Sequence, residues 1–306
     1  MTVMRAAAAI VLIVLVFTAS FSLKKAMRPR PSSTEPGAPV SCARLVSMSP
    51  GITETLFALG LGGQVVGVTR YCLYPPEAAE RTRVGGFLDP NYEVLLALHP
   101  DLVLLTPFHR ELWPELDRLG LRYEIIRQDT VEDIRESFLK MGALCGREEP
   151  AQALVSALDA RLAGLRRRAA GRPRLRVLMT TGREMHAGTL SETYAVSSGS
   201  FLSDLLQIAG GDNCVTGEIA EYPALSAEGI LQLNPDVIIE FGQEDSDAAD
   251  ADALRAWQAL PGLEAVRRSR VHYLGGTKYT IPGPRILETL DALDRCLDAD
   301  GEAPMP

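Results

Sequence analysis

The residues best suited to binding chemistry are aromatic side chains and glutamates that recur in two related segments of the chain. Residues 93–105 match residues 228–240 at a fixed offset of 135 positions, and each segment begins with a glutamate. Phe87 and Tyr222 keep the same offset. A repeat this long indicates a duplicated lobe, because the units of a solenoid are only about 20–50 residues long. Two such lobes facing each other would form a cleft with an aromatic ring and a carboxylate on each side.

A tyrosine and two histidines also lie where strands are predicted to end. Tyr71 follows the predicted strand 64–68 in a loop where a ligand could bind, although it could equally pack that loop. His109 and His186 follow strands in opposite halves of the chain and could ligate cobalt, haem iron or a bare ion. A bare-metal site normally needs three or four such ligands, so we predict no metal site.

Motifs of enzymes and of nucleic-acid binding proteins are absent from the sequence. It contains no HExxH, no GxSxG, no P-loop and no GxGxxG, so we predict a binding protein rather than an enzyme. An α/β enzyme with an unfamiliar site is an alternative, which turnover of a bound small molecule would reveal. Nucleic acid is excluded as a partner because the net charge is −8 and no basic face is visible.

The elements that must position these residues are helices that run directly into buried strands. His99 and Asn234 each precede Pro-Asp in the repeat, and proline disfavours helix at the residue before it, so a helix should end at each. The apolar runs 102–105 and 237–239 show no alternation, which is typical of strands buried on both faces. Because 306 residues exceed the usual size of one core, we predict an α/β fold of two Rossmann-like lobes with central, mostly parallel sheets.

A single long backbone helix, predicted over residues 149–171, joins the two lobes. Its apolar residues have helical spacing, and about 20 residues span roughly 30 Å.

Residues 6–23 are uncharged and follow Arg5, as in a signal peptide or a membrane anchor. An acidic loop is predicted at 245–252. The predicted divisions are a signal peptide or anchor at 1–23, a Pro-rich linker at 24–43, an N-terminal lobe at 44–148, the connecting helix at 149–171 and a C-terminal lobe at 172–306.

Four segments of the sequence, taken together, carry a family resemblance. They are RLVSMSP at 44–50, VGVTRYCLYPPEA at 66–78, VGGF at 84–87 and PDLVL at 100–104. The combination resembles the helical-backbone substrate-binding proteins of ABC importers, and it is most similar to their cobalamin-binding branch. The resemblance implies a periplasmic or extracytoplasmic monomer that delivers cobalamin or a related corrinoid to a permease dimer. It implies no cofactor, and contact with the membrane only through the N-terminal segment. A haem or ferric-siderophore binder of the same fold is the alternative, as is a tethered extracytoplasmic sensor.

The resemblance also implies which residues contact the ligand. They are Tyr71, Phe87 and Tyr222. Phe108 and Tyr279 are further aromatic candidates for contact with a flat macrocycle, because aromatic rings offer a large apolar area at little entropy cost. The family often has a tryptophan near Phe108, where this sequence has Thr106. It can also place an acidic and a basic residue before the terminal helix, where this sequence has Thr277 and Ile281. These departures leave the exact ligand open.

Two further pairs of residues acquire roles from the resemblance. Glu93 and Glu228 look like the carboxylates that dock on permease arginines, although glutamates in the first turn of a helix also stabilise its dipole. In related proteins a disulfide joins the region of the second lobe's Gly-Gly to the terminal helix. The cysteines that could make it here are Cys214 and Cys296.

Overall fold

Two open sheets, one in each half of the chain, form the framework of the computed structural model. The structure describes residues 41–186, 189–217 and 222–298. The segment expected to be a signal peptide or anchor, 1–23, lies outside the described residues, as does the expected linker up to residue 40. Within the described part of the chain, no helix is both long enough and apolar enough to span a membrane.

The N-terminal lobe contains a five-stranded sheet in which all neighbouring strands are parallel. Its strands are β1 (Leu45–Ser47), β2 (Val65–Val68), β3 (Thr82–Arg83), β4 (Leu102–Leu105) and β5 (Tyr123–Ile125). Their order in the sheet is β3-β2-β1-β4-β5. The helices are α1 (Pro50–Ala58), α2 (Pro76–Ala79), α3 (Tyr92–Ala97), α4 (Trp113–Arg118) and α5 (Val131–Leu144), with 3-10 turns at Gly62–Gln64 and Pro107–Leu112. Strands β1 and β4 are fully buried, as expected for strands covered by helices on both faces.

The C-terminal lobe contains a six-stranded, mixed sheet. Its strands are β6 (Leu175–His186), β7 (Thr189–Ala195), β8 (Gly211–Asn213), β9 (Ala224–Ser226), β10 (Val237–Gly242) and β11 (Val271–Gly275). The order is β11-β10-β6-β7-β9, with β8 paired to the start of β6, and only β7 runs antiparallel to its neighbours. The helices are α7 (Phe201–Ala209), α8 (Ala227–Leu233), α9 (Asp247–Gln258), α10 (Glu264–Arg267) and α11 (Ile286–Leu297), with a 3-10 turn at Thr277–Thr280. The two sheets confirm the predicted α/β fold with mostly parallel strands.

The two repeated segments fold into the same corner in both lobes. The residue before each proline adopts left-handed backbone angles, with φ 44° in the first lobe and 41° in the second. Each helix therefore stops where the Pro-Asp pair predicts. Asp101 accepts a hydrogen bond from the backbone N–H of Arg44 at 2.9 Å, and Asp236 accepts one from Arg176 at 2.8 Å. Both arginine side chains also donate to carbonyl oxygens at the end of the repeat helix of the same lobe.

Helix α6 (Glu148–Ala169) connects the lobes, close to the predicted span of 149–171. Its first turns pack into the core of the N-terminal lobe, and the rest of its apolar face packs into the core of the C-terminal lobe. At its far end Arg168 and Arg172 pair with Asp294 of α11, at 2.8 and 2.7 Å. A helix anchored in both cores limits how far the lobes can rotate.

The disulfide of the structure differs from the Cys214–Cys296 pairing that the resemblance implied, so that prediction was wrong. Cys42 is bonded to Cys145, whereas Cys214 and Cys296 are free. Cys214 is held beside β8, where its backbone N–H donates to Val177, while Cys296 packs into the core from α11. Burial raises the pKa of Cys214 to about 11 and that of Cys296 to about 12. The disulfide also anchors residues 41–43, which the sequence had assigned to the linker.

The prediction of an acidic loop at 245–252 is also wrong, because most of this segment forms the start of helix α9. Ser246 caps this helix, since its hydroxyl accepts a hydrogen bond from the N–H of Ala249 at 3.2 Å. Asp247 and Asp250 then lie in the first turn, where negative charge favours the helix dipole.

Candidate functional site

The two lobes enclose a cavity of about 300 Å³, which we call the central cavity. Its wall in the N-terminal lobe comes largely from residues that follow β1, β4 and β5, three neighbouring strands of the sheet. The opposite wall comes from Phe201, Tyr222 and residues 280–282. Ligands of open α/β sheets bind outside the carboxyl ends of the strands, and pockets favour the junction of two domains. The central cavity meets both conditions and is the candidate binding site.

Three of the aromatic residues predicted from the sequence line the central cavity together: Phe87, Phe108 and Tyr222. Phe87 and Tyr222 are the pair related by the repeat, and they face the cavity from opposite lobes. Phe108 is 53% exposed and Tyr222 is 41% exposed, so both rings are open to contact. The duplication therefore places an aromatic wall on each side of one cavity.

Two further cavities extend the cleft from the central cavity. One of about 720 Å³ shares Phe108 and Asp129 with it. The other, of about 250 Å³, shares Ile281 and is lined by Tyr71 and Tyr74. Tyr71 is therefore next to the central cavity rather than in it, and its ring is also exposed. The three adjoining cavities give the cleft room for a ligand larger than the central cavity alone.

Tyr279 packs against the hydrophobic core of the C-terminal lobe. Lys278 covers its ring, with Nζ 5.0 Å from the ring centroid. Ile281, two residues further along the chain, lines the central cavity, and Tyr279 does not. The structure therefore does not bring Tyr279 together with Phe87 and Tyr222.

The two candidate histidines are far from forming a metal site. His109 is fully buried behind Phe87, with ring centroids 4.3 Å apart, and its Nδ1 accepts a hydrogen bond from the N–H of Thr106 at 2.9 Å. Burial lowers the pKa of His109 and favours the neutral ring. His186 lies in the hairpin at the end of β6. Over residues 41–186, 189–217 and 222–298, no three His, Cys, Asp or Glu side chains converge as a metal would require.

The charge of the central cavity comes from Asp129. Its carboxylate lies 3.1 Å from Arg127, but burial outweighs that neighbour and raises the pKa of Asp129. The described residues that line the central cavity include no lysine, arginine or histidine. Neutral or cationic groups are favoured there over carboxylates.

Sequence reasoning missed Gln128, which lines the central cavity just after β5. It is 4% exposed, and neither Nε2 nor Oε1 has a hydrogen-bond partner in the described protein. Gly51 lies against it: a Cβ there would be 2.8 Å from Gln128 Oε1 and 2.4 Å from the carbonyl oxygen of Pro282. The signal available in the sequence was the place of Gln128 beyond a predicted strand, where ligand-binding residues of α/β proteins lie.

Polar contacts join the two lobes at two places. Arg285, before α11, donates two hydrogen bonds to Glu54 of α1, at 3.0 and 2.5 Å. The side chains of Glu54 and Arg285 are only 2% and 17% exposed, and the ring of Tyr74 lies 3.9 Å from the guanidinium carbon. Burial raises the pKa of Glu54, although Arg285 opposes this shift. Elsewhere Asp204 of α7 accepts a hydrogen bond from the N–H of Val131 at 3.0 Å.

Glu93 and Glu228 occupy equivalent exposed positions in the first turns of α3 and α8. Asn91 caps α3 and Ser226 caps α8, so the helix ends are satisfied without the glutamates. Neither carboxylate forms an ion pair with another described residue. The repeat therefore presents one free negative charge on each lobe.

Known proteins share this sequence pattern and this fold. The profile of the periplasmic binding protein family matches residues 45–277. The vitamin B12-binding protein of Vibrio cholerae is 30% identical over 262 residues, which cover 84% of this chain and 88% of that protein. The crystal structure of the periplasmic vitamin B12 binding protein of Vibrio cholerae aligns with a TM-score of 0.70 and 29% identity, over 83% of this chain and 96% of that one. A periplasmic heme-binding protein from Roseiflexus sp. RS-1 shares the fold, with a TM-score of 0.69 and 23% identity over 83% and 97% of the two chains.

Proposed function

Because the chain belongs to the periplasmic binding protein family, we propose that it captures cobalamin or a related corrinoid between its lobes and delivers it to an ABC importer. The observation that carries this proposal is the pair of repeat-related aromatic residues, Phe87 and Tyr222, on opposite walls of the central cavity. A flat macrocycle offers two apolar faces, and aromatic rings cover such faces at little cost in side-chain entropy. The identity to vitamin B12-binding proteins along most of the chain supports the same ligand class.

The charge of the central cavity supports a corrinoid over haem. Haem carries two propionate carboxylates, whereas the side chains around a corrin ring are neutral amides. Asp129 contributes a carboxylate to the central cavity, and no basic residue is among its described lining. Haem propionates buried in the central cavity itself would meet Asp129 and no basic lining residue, which is costly in a partly dry site; the basic residues Arg110 and Lys278 line the adjoining cavities instead. Amides meet no such penalty.

The ligand proposal is tested by titrating the purified protein with cyanocobalamin, haemin and a ferric siderophore, followed by absorbance and intrinsic fluorescence. We expect saturable, submicromolar binding of cyanocobalamin and release of the unchanged ligand on denaturation. Phe108→Ala and Tyr222→Ala should each weaken binding. Tyr194→Ala is the matched control, since Tyr194 has a similar exposure of 38% and its hydroxyl donates to Glu184 instead. Binding of haemin in place of cyanocobalamin would refute the corrinoid assignment and favour the haem alternative.

Delivery requires contact with the permease, and we assign that contact to Glu93 and Glu228. The two carboxylates are exposed, unpaired within the described chain and equivalent in the two lobes, as a two-fold permease surface would require. Charges of this kind mainly set the rate and specificity of association with a basic partner. The glutamates are therefore expected to act on docking and not on ligand binding.

The docking assignment is tested by reversing both charges in one variant, Glu93→Lys with Glu228→Lys. Cyanocobalamin should bind this variant as it binds the original protein, while stimulation of the transporter ATPase should be lost. Glu148→Lys with Glu149→Lys, at the start of α6, makes the same change in net charge away from the two corners. Unimpaired stimulation by the Glu93 and Glu228 variant would refute the assignment, and the proposed ligand would still stand.

The remaining parts of the proposal concern location and assembly. An extracytoplasmic location follows from the family and from the apolar segment 6–23, whether that segment is cleaved or kept as an anchor. We propose that the protein acts as a monomer, because both lobes of the cleft come from one chain. Fractionation of cells and light scattering of the purified protein test these two points; a cytoplasmic pool or a stable dimer would contradict them.

A further inference from the structure

Gln128 presents a buried carboxamide at the central cavity for which the described protein supplies no partner. Both Nε2 and Oε1 are shielded from water, and the residue is 4% exposed. A buried amide that makes no hydrogen bond loses the bonds it would make to water in the unfolded chain. Native proteins leave few such groups unpaired, so an unpaired group at a binding cavity calls for a functional explanation.

The packing around Gln128 holds the carboxamide in place. Gly51 has no side chain, and a Cβ there would lie 2.8 Å from Gln128 Oε1 and 2.4 Å from the carbonyl oxygen of Pro282. Gly51 and Gln128 belong to the N-terminal lobe, and Pro282 belongs to the opposite lobe. A slight parting of the lobes would therefore uncover the carboxamide from the side of the cavity that all three residues line.

We propose that Gln128 recognises a primary amide on the ligand and so selects amide-bearing macrocycles over carboxylate-bearing ones. This inference rests on the proposed function. Nε2 would donate to the carbonyl oxygen of the ligand amide, and the N–H of that amide would donate to Oε1. A primary amide can form hydrogen bonds with Nε2 and Oε1 at the same time, because it has one acceptor and two donors.

A ligand carboxylate satisfies only half of this site. It accepts from Nε2 but has no hydrogen to donate to Oε1, which then stays buried and unpaired. The neighbouring Asp129 adds a second acceptor that repels a carboxylate in the same cavity. A site built to pair a polar group rejects analogues that lack it more strongly than an apolar pocket can.

The test compares Gln128→Met, which keeps the length of the side chain and removes both polar atoms, with the unaltered full-length protein. Affinity for cyanocobalamin should fall by roughly 10- to 100-fold, since the ligand amide loses its partner. The thermal midpoint measured without ligand should stay unchanged or rise, because an unpaired buried amide is gone. Gln152→Met, on the exposed face of α6, is the control and should alter neither quantity.

A second variant, Gln128→Glu, gives a signature that a structural role would not produce. An ionised glutamate can only accept, so cyanocobalamin should bind weakly at pH values above the pKa of the new carboxyl. A protonated glutamate offers one donor and one acceptor, so affinity should recover as the pH is lowered through the pKa of the new carboxyl. If Gln128→Met lowers the thermal midpoint, its weaker binding could reflect poorer folding. The pH dependence of binding by Gln128→Glu then tests the proposal instead.

The outcomes separate the inference from the function on which it rests. If the unaltered protein binds no cyanocobalamin, the proposed function and this inference both fail. If the unaltered protein binds and Gln128→Met binds equally well, only the inference fails. Loss of affinity in Gln128→Glu without recovery at low pH also overturns it.

Discussion

The buried ion pair between Glu54 and Arg285 makes a strong prediction about how the lobes are held together. Arg285→Met keeps much of the apolar length of the side chain but removes the partner of a carboxylate that is 2% exposed. Breaking a buried pair on one side costs about 3–5 kcal/mol of unfolding free energy, because the remaining charge is stranded. For a chain of this size that is a fall of roughly 6–10 °C in the thermal midpoint.

The effect should depend on pH in a defined direction. Burial raises the pKa of Glu54 above its ordinary 4.5, so the folded protein takes up a proton at a higher pH than the unfolded chain. The stability that Glu54 contributes through this shift is present at low pH and is lost as pH rises through the folded pKa. Without Arg285 the pKa rises further. The deficit of Arg285→Met should therefore be largest at neutral pH and shrink towards pH ~5.

The unfolding free energy is measured by urea unfolding at pH 5 and pH 7. The four proteins compared are the original, Arg285→Met, Glu54→Gln and the double variant. The double variant should recover most of the loss, because it leaves no buried charge unpaired. Arg118→Met is the control, since its partner Glu115 pairs with it at the surface of α4. A deficit under about 1 kcal/mol for Arg285→Met, or one that is independent of pH, would refute the reasoning.

Three further changes test other features of the molecule. Gly51→Ala should weaken cyanocobalamin binding in a titration, because its Cβ would meet Gln128 Oε1 at 2.8 Å; Gly63→Ala, which meets nothing within 4 Å, should not, and equal binding by both would contradict the packing described. Cys42→Ser should lower the unfolding free energy by up to about 4–5 kcal/mol, since the disulfide spans 103 residues, and should remove sensitivity to dithiothreitol in urea unfolding; a variant as stable as the original would be contrary to this. Asp129→Asn should raise the affinity for haemin relative to cyanocobalamin in parallel titrations, because it removes the negative charge of the central cavity, and an unchanged ratio would count against that electrostatic argument.

The parts of the fold that the sequence predicted are those set by local rules. Proline after His99 and Asn234 ends a helix whatever surrounds it, and the apolar runs that follow have no polar face to expose. The duplication then placed Phe87 and Tyr222 at equivalent points, and the facing of the lobes brought both to one cavity. Tyr279 has no such internal partner in the repeat, and its aromatic side chain alone was the reason to predict it in the cleft.

The parts that the sequence did not predict depend on contacts between distant residues. Cys42 and Cys145 are 103 residues apart, and nothing local indicates that the start of β1 meets the end of α5. Gln128 stands out only once the structure shows that both ends of its amide are buried and unpaired. The run of acidic residues at 245–252 is typical of an exposed loop, but Ser246 caps helix α9 there and the aspartates favour its dipole.

The central claim is that a corrinoid lies between the lobes against the aromatic residues of the central cavity. A crystal structure of the protein with cyanocobalamin tests it most directly. We expect the corrin ring within about 4 Å of Phe108 and Tyr222, in contact with both lobes. A corrinoid bound elsewhere, for instance in the cavity beside Phe57 and Arg81, or no bound corrinoid at saturating concentration, would contradict the account.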